Sequence, residues 1–453
     1  MSNTDIIAAI ATPPGRGGIG VVRISGQNLQ PLAQALLGYI PKQRYASLSK
    51  FHDENGLVID QGIALYFPAP HSYTGEDVLE LQGHGGQAIM NLLLSRCLAA
   101  GARLAQPGEF TLRAFLNNKL DLAQAESVAD IIDASTNEAA RCAMRSLQGE
   151  FSATILSLVL AVTDLRILVE ATLDFPEEET EFSQHTDAHS KLHSIRIHLE
   201  HVLASARQGS LLREGMCVVL VGQPNVGKSS LMNRLAGEEA AIVTEIPGTT
   251  RDAIRQTINL EGVPLHLIDT AGLRETDDAV EKIGIARTRS AIEKADLALL
   301  LIDSCLGVKS EDWTILNSFP TRLPVIQVFN KIDMLNEAPR IKMSEEGRPE
   351  IYLSAKTGAG IDLLQQKLQE IIGWRPPQSA GEGMFMARHR HLQALAEAKG
   401  CLEKAVEVTR GSNQLELLAE ELRLAQLSLS SITGEFSADA LLGEIFSRFC
   451  IGK

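Results

Sequence analysis

Gly222-Gln-Pro-Asn-Val-Gly-Lys228-Ser229 has the spacing G-x-x-x-x-G-K-S. In such a loop the backbone N–H groups wrap phosphates while the lysine reaches the outer ones. Farther along, in this order, stand Thr249-Thr250, Asp269-Thr270-Ala271-Gly272, Asn330-Lys331-Ile332-Asp333 and Ser354-Ala355-Lys356. Each stretch alone is a weak signal. Together and in sequence they predict a site that binds and hydrolyses GTP.

Each piece has a role that its chemistry suits. Asn225, Val226, Gly227, Lys228, Ser229 and Ser230 form the phosphate loop and its exit. Ser229 offers a hydroxyl to Mg²⁺, Thr250 a second one, and Asp269 stands behind the metal as a Walker-B carboxylate. Gly272 can donate its N–H to the γ-phosphate and change conformation when that group leaves. Asp333 presents two acceptor oxygens to the paired N–H donors of guanine, an edge adenine lacks. Ser354, Ala355 and Lys356 close over the base. After Gly272 comes Leu273, where many switch GTPases carry the glutamine that orients the attacking water. An apolar side chain cannot do this, so another group must place the water.

The surrounding pattern supplies elements to hold these residues. Cys217–Val221 (CVVLV) reads as a buried strand and Ser229–Leu235 as the helix behind it, which aims a helix N-terminus at the anion. Leu265–Ile268 and Glu350–Leu353 are strand-like runs ahead of Asp269 and Ser354. Alternating strands and helices over 215–375 predict an inserted α/β P-loop (Ras-like) GTPase domain. Residues 1–118 mix short strands with a helical stretch near Gly86–Ala100, an α+β pattern. Residues 119–214 and 376–453 are helical, and read as the two halves of one discontinuous all-α domain. Trp374–Gly383, with two prolines and three glycines and serines, is a linker, and Asp174–Glu181 a solvated loop.

At 453 residues the chain exceeds one core, and 22% charged with 45% apolar residues is ordinary globular material. A net charge of −14 excludes a polycationic binder, so contact with nucleic acid requires a local patch or a second protein. Six cysteines without C-x-x-C spacing indicate neither a zinc site nor a disulfide framework. Met1-Ser-Asn-Thr-Asp lacks the basic residues of a signal peptide, and apolar runs such as Ile155–Val162 fall short of a membrane span. A cytoplasmic chain without a membrane partner is expected. Gly452 and Lys453 disqualify the final Cys450-Ile-Gly-Lys453 as a prenylation box. Gly15-Arg-Gly-Gly-Ile-Gly20 fits the dinucleotide fingerprint, but Val21-Val-Arg-Ile-Ser is strand-like where that fingerprint needs a helix.

Other stretches carry a resemblance: Ala11-Thr-Pro-Pro-Gly-Arg-Gly-Gly18, Leu79-Glu-Leu-Gln-Gly-His-Gly-Gly86, Gln106-Pro-Gly-Glu-Phe110, Lys119-Leu-Asp-Leu-Ala-Gln-Ala-Glu126 and Phe449-Cys-Ile-Gly-Lys453. With the GTPase series, these resemble the MnmE (TrmE) family of tRNA-modification GTPases over nearly the whole chain. The resemblance implies that residues 1–118 form a tetrahydrofolate-binding and dimerisation domain, with Arg23, Glu80, Lys119 and the terminal Lys453 at the folate. It implies a homodimer, a heterotetramer with the flavoprotein MnmG (GidA), and installation of an aminomethyl-type group on carbon 5 of the wobble uridine of tRNA. The one-carbon donor is a reduced folate, 5-formyl- or methylene-tetrahydrofolate.

The resemblance also implies a potassium ion held by Asn225 and the loop Thr244-Glu245-Ile246-Pro247-Gly248-Thr249, with Thr244, Ile246 and Thr249 as ligands. Such a cation can stabilise transition-state charge. Glu281 matches the family's water-positioning glutamate, and Cys450 is a candidate nucleophile toward uracil carbon 6. A ribosome-assembly-type regulatory GTPase that binds RNA without modifying it is the alternative; it has no use for the N-terminal stretches or the Cys-Ile-Gly-Lys tail.

Overall fold

The computed structural model describes residues 5–174, 185–238, 255–269, 292, 295–317, 319–374, 384–410, 415–434, 445, 446, 449 and 452. Two compact units are formed, one from 1–129, 146–198 and 394–453, the other from 130–145 and 199–393.

The first unit is built on a six-stranded sheet of β1 (Ile7–Ile10), β2 (Gly17–Gly26), β3 (Ser47–His52), β4 (Val58–Phe67), β5 (Asp77–Gly85) and β6 (Arg103–Leu104), in the order β3-β4-β5-β2-β1-β6. The pairs are antiparallel except β1 with β6. Alternation puts Val22, Ile24, Leu79 and Leu81 on one face, where the helices Gln30–Leu37 and Gln87–Ala99 cover them with Leu32, Leu36, Leu93 and Cys97. Those helices need no charge partners; burying their apolar side chains in one layer is what fixes them.

The G-R-G-G-I-G stretch enters β2, not a helix. A Cβ on Gly20 would lie 2.4 Å from Met90 Sδ, and one on Gly85 2.6 Å from the Gly17 carbonyl, so these glycines serve close packing between strands and helix.

The same unit holds a 25-residue apolar helix, Glu150–Asp174, packed on Leu415–Thr433, with Arg166 Nη1 donating to Gln426 Oε1 at 2.5 Å. By length and composition, Glu150–Leu173 is apolar enough to cross a membrane, which the reading of uninterrupted apolar runs did not anticipate. It carries Asp164, Arg166 and Glu170, and its Phe151, Ile155, Leu158, Val162 and Leu165 are buried within the unit. Ile445, Phe446 and Phe449 pack with Leu122 and Ala125.

The second unit is a seven-stranded sheet of β7 (Met216–Gly222), β8 (Arg255–Leu260), β9 (Val263–Asp269), β10 (Leu297–Asp303), β11 (Val325–Asn330), β12 (Arg340–Met343) and β13 (Pro349–Tyr352), ordered β12-β13-β11-β10-β7-β9-β8. β13, β11, β10, β7 and β9 run parallel, and antiparallel β12 and β8 close the edges. Near-continuous apolar runs such as Leu297–Ile302 are buried because helices cover both faces of a parallel sheet. This is the expected α/β GTPase layout, inserted among helical segments.

Two of those helical segments grip the β8–β9 turn. Thr136 Oγ1 donates to the Gly262 carbonyl at 2.8 Å, and Trp374 Nε1 to the Glu261 carbonyl at 3.2 Å. Val263, Trp374, Leu212, Met386, Ala139, Cys142 and Ala143 share one apolar cluster beside it. Next to this, Asp130, only 5% exposed, accepts from Arg213 Nε at 2.9 Å and Arg388 Nη2 at 2.7 Å.

Candidate functional site

The phosphate loop follows β7, whose Val218, Val219 and Leu220 are fully buried, and leads into the helix Lys228–Glu238. Two glycines are obligatory here. Gly222 has φ +150° and a Cβ on it would lie 2.4 Å from the Leu301 carbonyl; Gly227 has φ +100°, its Cβ position 2.3 Å from Asn330 Nδ2. Between them Asn225 takes a left-handed φ of 60°, tolerable for asparagine, and stands exposed at the crown of the loop. Val226 is buried in the core beneath.

Lys228 is itself buried, its Nζ donating to the Gly222 and Gln223 carbonyls at 2.7 and 2.9 Å. The ammonium is therefore held across the loop's mouth, where phosphate oxygens would meet it. Ser229 and Ser230 are exposed in the first turn of the helix. A hard hydroxyl oxygen beside an anion-binding helix start fits Mg²⁺, which takes oxygen ligands shared with substrate phosphates. Asp269 ends β9, in register with Leu220 of β7.

The loops expected to read the base follow β11 and β13, so they meet the phosphate loop at the carboxyl ends of the parallel strands, the usual ligand crevice of parallel α/β folds. Asn330, buried, joins three segments. Its Nδ2 donates to the Val226 carbonyl at 2.8 Å, and its Oδ1 accepts from the N–H of Lys331 at 2.8 Å and of Ala355 at 2.9 Å. Asp333 lies on the short turn Ile332–Met334 and accepts from Ser354 Oγ at 2.7 Å.

Lys331 has φ 72° and pairs through Nζ with Asp303 Oδ2 at 2.6 Å. Burial alone would raise the Asp303 carboxyl, but hydrogen bonds from Lys331 and from the Cys305 amide outweigh it and hold the group below its ordinary value. The structure thus brings together Asn225, Val226, Gly227, Lys228, Ser229, Ser230, Asn330, Lys331, Asp333, Ser354, Ala355 and Lys356. Thr244, Glu245, Ile246, Pro247, Gly248, Thr249, Thr250, Thr270, Ala271, Gly272, Leu273, Glu281, Cys450 and Lys453 lie outside the described residues.

In the first unit, Arg23 and Glu80 are register partners on β2 and β5, and Arg23 Nε donates to Glu80 Oε1 at 2.9 Å. The guanidinium also lies 5.4 Å from the Tyr73 ring centre and 5.9 Å from that of Phe110. Burial raises the Tyr73 phenol above its ordinary value, against the opposing influence of Thr111 and Arg23. Neither aromatic was foreseen; no local pattern marks residues that meet Arg23 only in the fold.

A partly exposed ion pair walled by two rings suits a flat heterocycle with an N–H edge. Lys119 is exposed, its Nζ bonded to the Pro70 carbonyl at 3.0 Å beside Gly75. Buried Gly452 rests on β1's end: a Cβ there would lie 2.5 Å from the Ile10 carbonyl and 3.0 Å from Ala11 Cα. Ile10 is one residue past Ala9, the β1 partner of Arg23, so the chain's two ends meet one strand from the ion pair.

Two family models match the chain, the GTP-binding protein TrmE N-terminus over residues 6–119 and the MnmE helical domain over 122–450. A tRNA modification GTPase MnmE from Nitrosospira multiformis is 68% identical over 454 residues, covering 100% of both chains. One of the same description from Nitrosomonas europaea is 66% identical over 453 residues, again covering 100% of both. Another, from Neisseria meningitidis serogroup C, is 56% identical over 451 residues, covering 100% of this chain and 99% of its own.

Proposed function

The chain belongs to the MnmE family of tRNA modification GTPases, and on that premise we propose that it hydrolyses GTP to drive modification of carbon 5 of the tRNA wobble uridine, in the cytoplasm, as a homodimer acting with the flavoprotein MnmG. A reduced folate supplies the one-carbon unit, and Mg²⁺ and K⁺ serve the hydrolysis. The observation that carries the folate part is the meeting of Gly452 with β1, one strand from Arg23 and Glu80. A regulatory GTPase would not need its C-terminal end seated there.

The residues divide the work. Lys228 and the amides at the helix start neutralise phosphate charge as it develops in the transition state, and Ser229 holds the Mg²⁺ that neutralises the rest. Asp333 reads the base while Asn330 keeps the base and phosphate loops in one frame. Asn225, exposed with its backbone turned out by the left-handed conformation, offers an amide oxygen of the kind potassium takes. Glu281 positions the water that Leu273 cannot. On the other unit, Glu80 accepts from the N–H edge of a pterin, Arg23, backed by the Tyr73 and Phe110 rings, lies against it, and Lys119 and Lys453 hold its anionic tail.

Wobble nucleosides from cells lacking the chain are expected to lose the carbon 5 substituent by mass spectrometry. The chain should restore it and Lys228→Ala should not. Unchanged nucleosides in the deficient cells would instead favour the regulatory alternative. Hydrolysis by the purified chain is expected to run several-fold faster in potassium than in sodium at equal ionic strength. Equal rates would remove Asn225 from a cation site.

A further inference from the structure

The helix that begins at the phosphate loop carries a cation that the nucleotide motifs do not explain. Arg234, half-buried on its second turn, donates from Nε to the Ala355 carbonyl at 3.2 Å and from Nη2 to the Lys356 carbonyl at 2.6 Å. These carbonyls belong to the base-closing loop, not to the helix's own last turn, so the contact is more than a helix C-cap. A guanidinium is a planar fork of fixed donors, and two successive carbonyls are a fitting target. A cavity of about 300 Å³ lined by Ser230, Asn233, Arg234, Gly237 and Ala355 lies beside the bridge. Ala355 is buried in the core of this unit, whereas Lys356 is exposed and held through its carbonyl by the guanidinium.

We infer that Arg234 is a positioning residue for nucleotide retention: it fastens the base-closing loop to the phosphate-binding helix, so that the grips on base and phosphate form one body. The inference rests on the reading of Asp333 and Ser354–Lys356 as the base site. Asn330 already ties Ala355 to the phosphate loop from the sheet side. Arg234 ties the same loop from the helix side, and a loop held at both sides is preorganised for the base. Without the arginine the loop keeps its anchors on Asn330 and Asp333, but its exposed Lys356 end loses its tether, and bound nucleotide escapes sooner. The phosphate cradle, whose amides and lysine lie at the other end of the bridge, is untouched.

The test uses the full chain with Mg²⁺ and a fluorescent GDP analogue, in wild type, Arg234→Ala and Arg234→Lys. Alanine is expected to speed GDP release about tenfold, and lysine, which keeps the charge but not the fork, to give an intermediate rate. Inorganic tripolyphosphate, which has no base to grip, is expected to compete with an unchanged inhibition constant in all three. An unchanged release rate in both variants would overturn the inference. So would a parallel loss of tripolyphosphate affinity, which would mean that the arginine merely supports the helix. Asp333→Asn run alongside separates the two levels. If it leaves GDP affinity unchanged, the base-site reading itself fails; if it weakens GDP while Arg234→Ala does not, only the arginine's role falls.

Discussion

Asp333→Asn is expected to weaken GTP binding on the order of a hundredfold and to turn the site toward xanthosine triphosphate. The substitution is nearly isosteric. Its remaining carbonyl can still accept from Ser354 Oγ, which Asp333 does now at 2.7 Å, so the loop stays in place. What changes is the edge offered to the base: a carboxylate that accepts twice becomes a group that accepts once and donates once. Guanine meets it with two donors. One charge-assisted bond is lost and a donor faces a donor, each worth roughly 1–3 kcal/mol. Xanthine carries an acceptor where guanine has its amino group, so the same change favours it. Dissociation constants for the two fluorescent triphosphates decide the matter, and an undiminished affinity for GTP would take Asp333 out of the base site.

Removing the Asp130 carboxylate should cost about 3 kcal/mol of stability, near the lower end for a broken buried ion pair because Arg213 remains partly in water. Asp130 is 5% exposed and shared by Arg213 and Arg388, which are 32% and 13% exposed. Asp130→Ala leaves the two guanidiniums facing each other across a space the carboxylate had filled. Asp130→Asn keeps acceptor geometry without the charge and should fall between. The residues come from distant stretches, so the loss is felt as a lower midpoint of thermal unfolding, roughly 5–10 °C. Hydrolysis measured well below that midpoint should persist, since the described partners of the group, Arg213 and Arg388, lie outside the proposed phosphate site. A midpoint within a degree of wild type would mean that water replaces the carboxylate without cost.

The nucleotide site was readable because its chemistry is contiguous. The proposed phosphate contacts come from one loop, Gly222–Ser229, and Asp333 and Ser354 lie on short segments whose residue types suit a guanine base. The strands β7 and β9 behind them were equally plain, since their apolar residues Val218, Val219, Leu220, Leu265, Leu267 and Ile268 are ones that a parallel sheet buries. The N-terminal unit was harder. The helices Gln30–Leu37 and Glu109–Leu116 and the strand Ser47–His52 are short, and their burial is set by distant partners rather than by their own period.

Arg23 and Glu80 stand 57 positions apart, and nothing local says they pair; a family resemblance pointed to them, and the register of β2 against β5 supplies the reason. Arg234 was invisible for a related cause. A cation on an amphipathic helix reads as solvated surface until the loop it holds, more than a hundred positions later, is in view.

The grip of Thr136 and Trp374 on the Glu261–Gly262 turn sets a mechanical boundary condition. In the sequence, residues 244–250 precede β8 and residues 270–272 follow β9, so the strands nearest to the stretches proposed to respond to the nucleotide form one hairpin. A hairpin clamped at its turn has no slack there to absorb a displacement. A displacement entering at Arg255 or Asp269 must either bend the two strands or pull on the segments that carry Thr136 and Trp374.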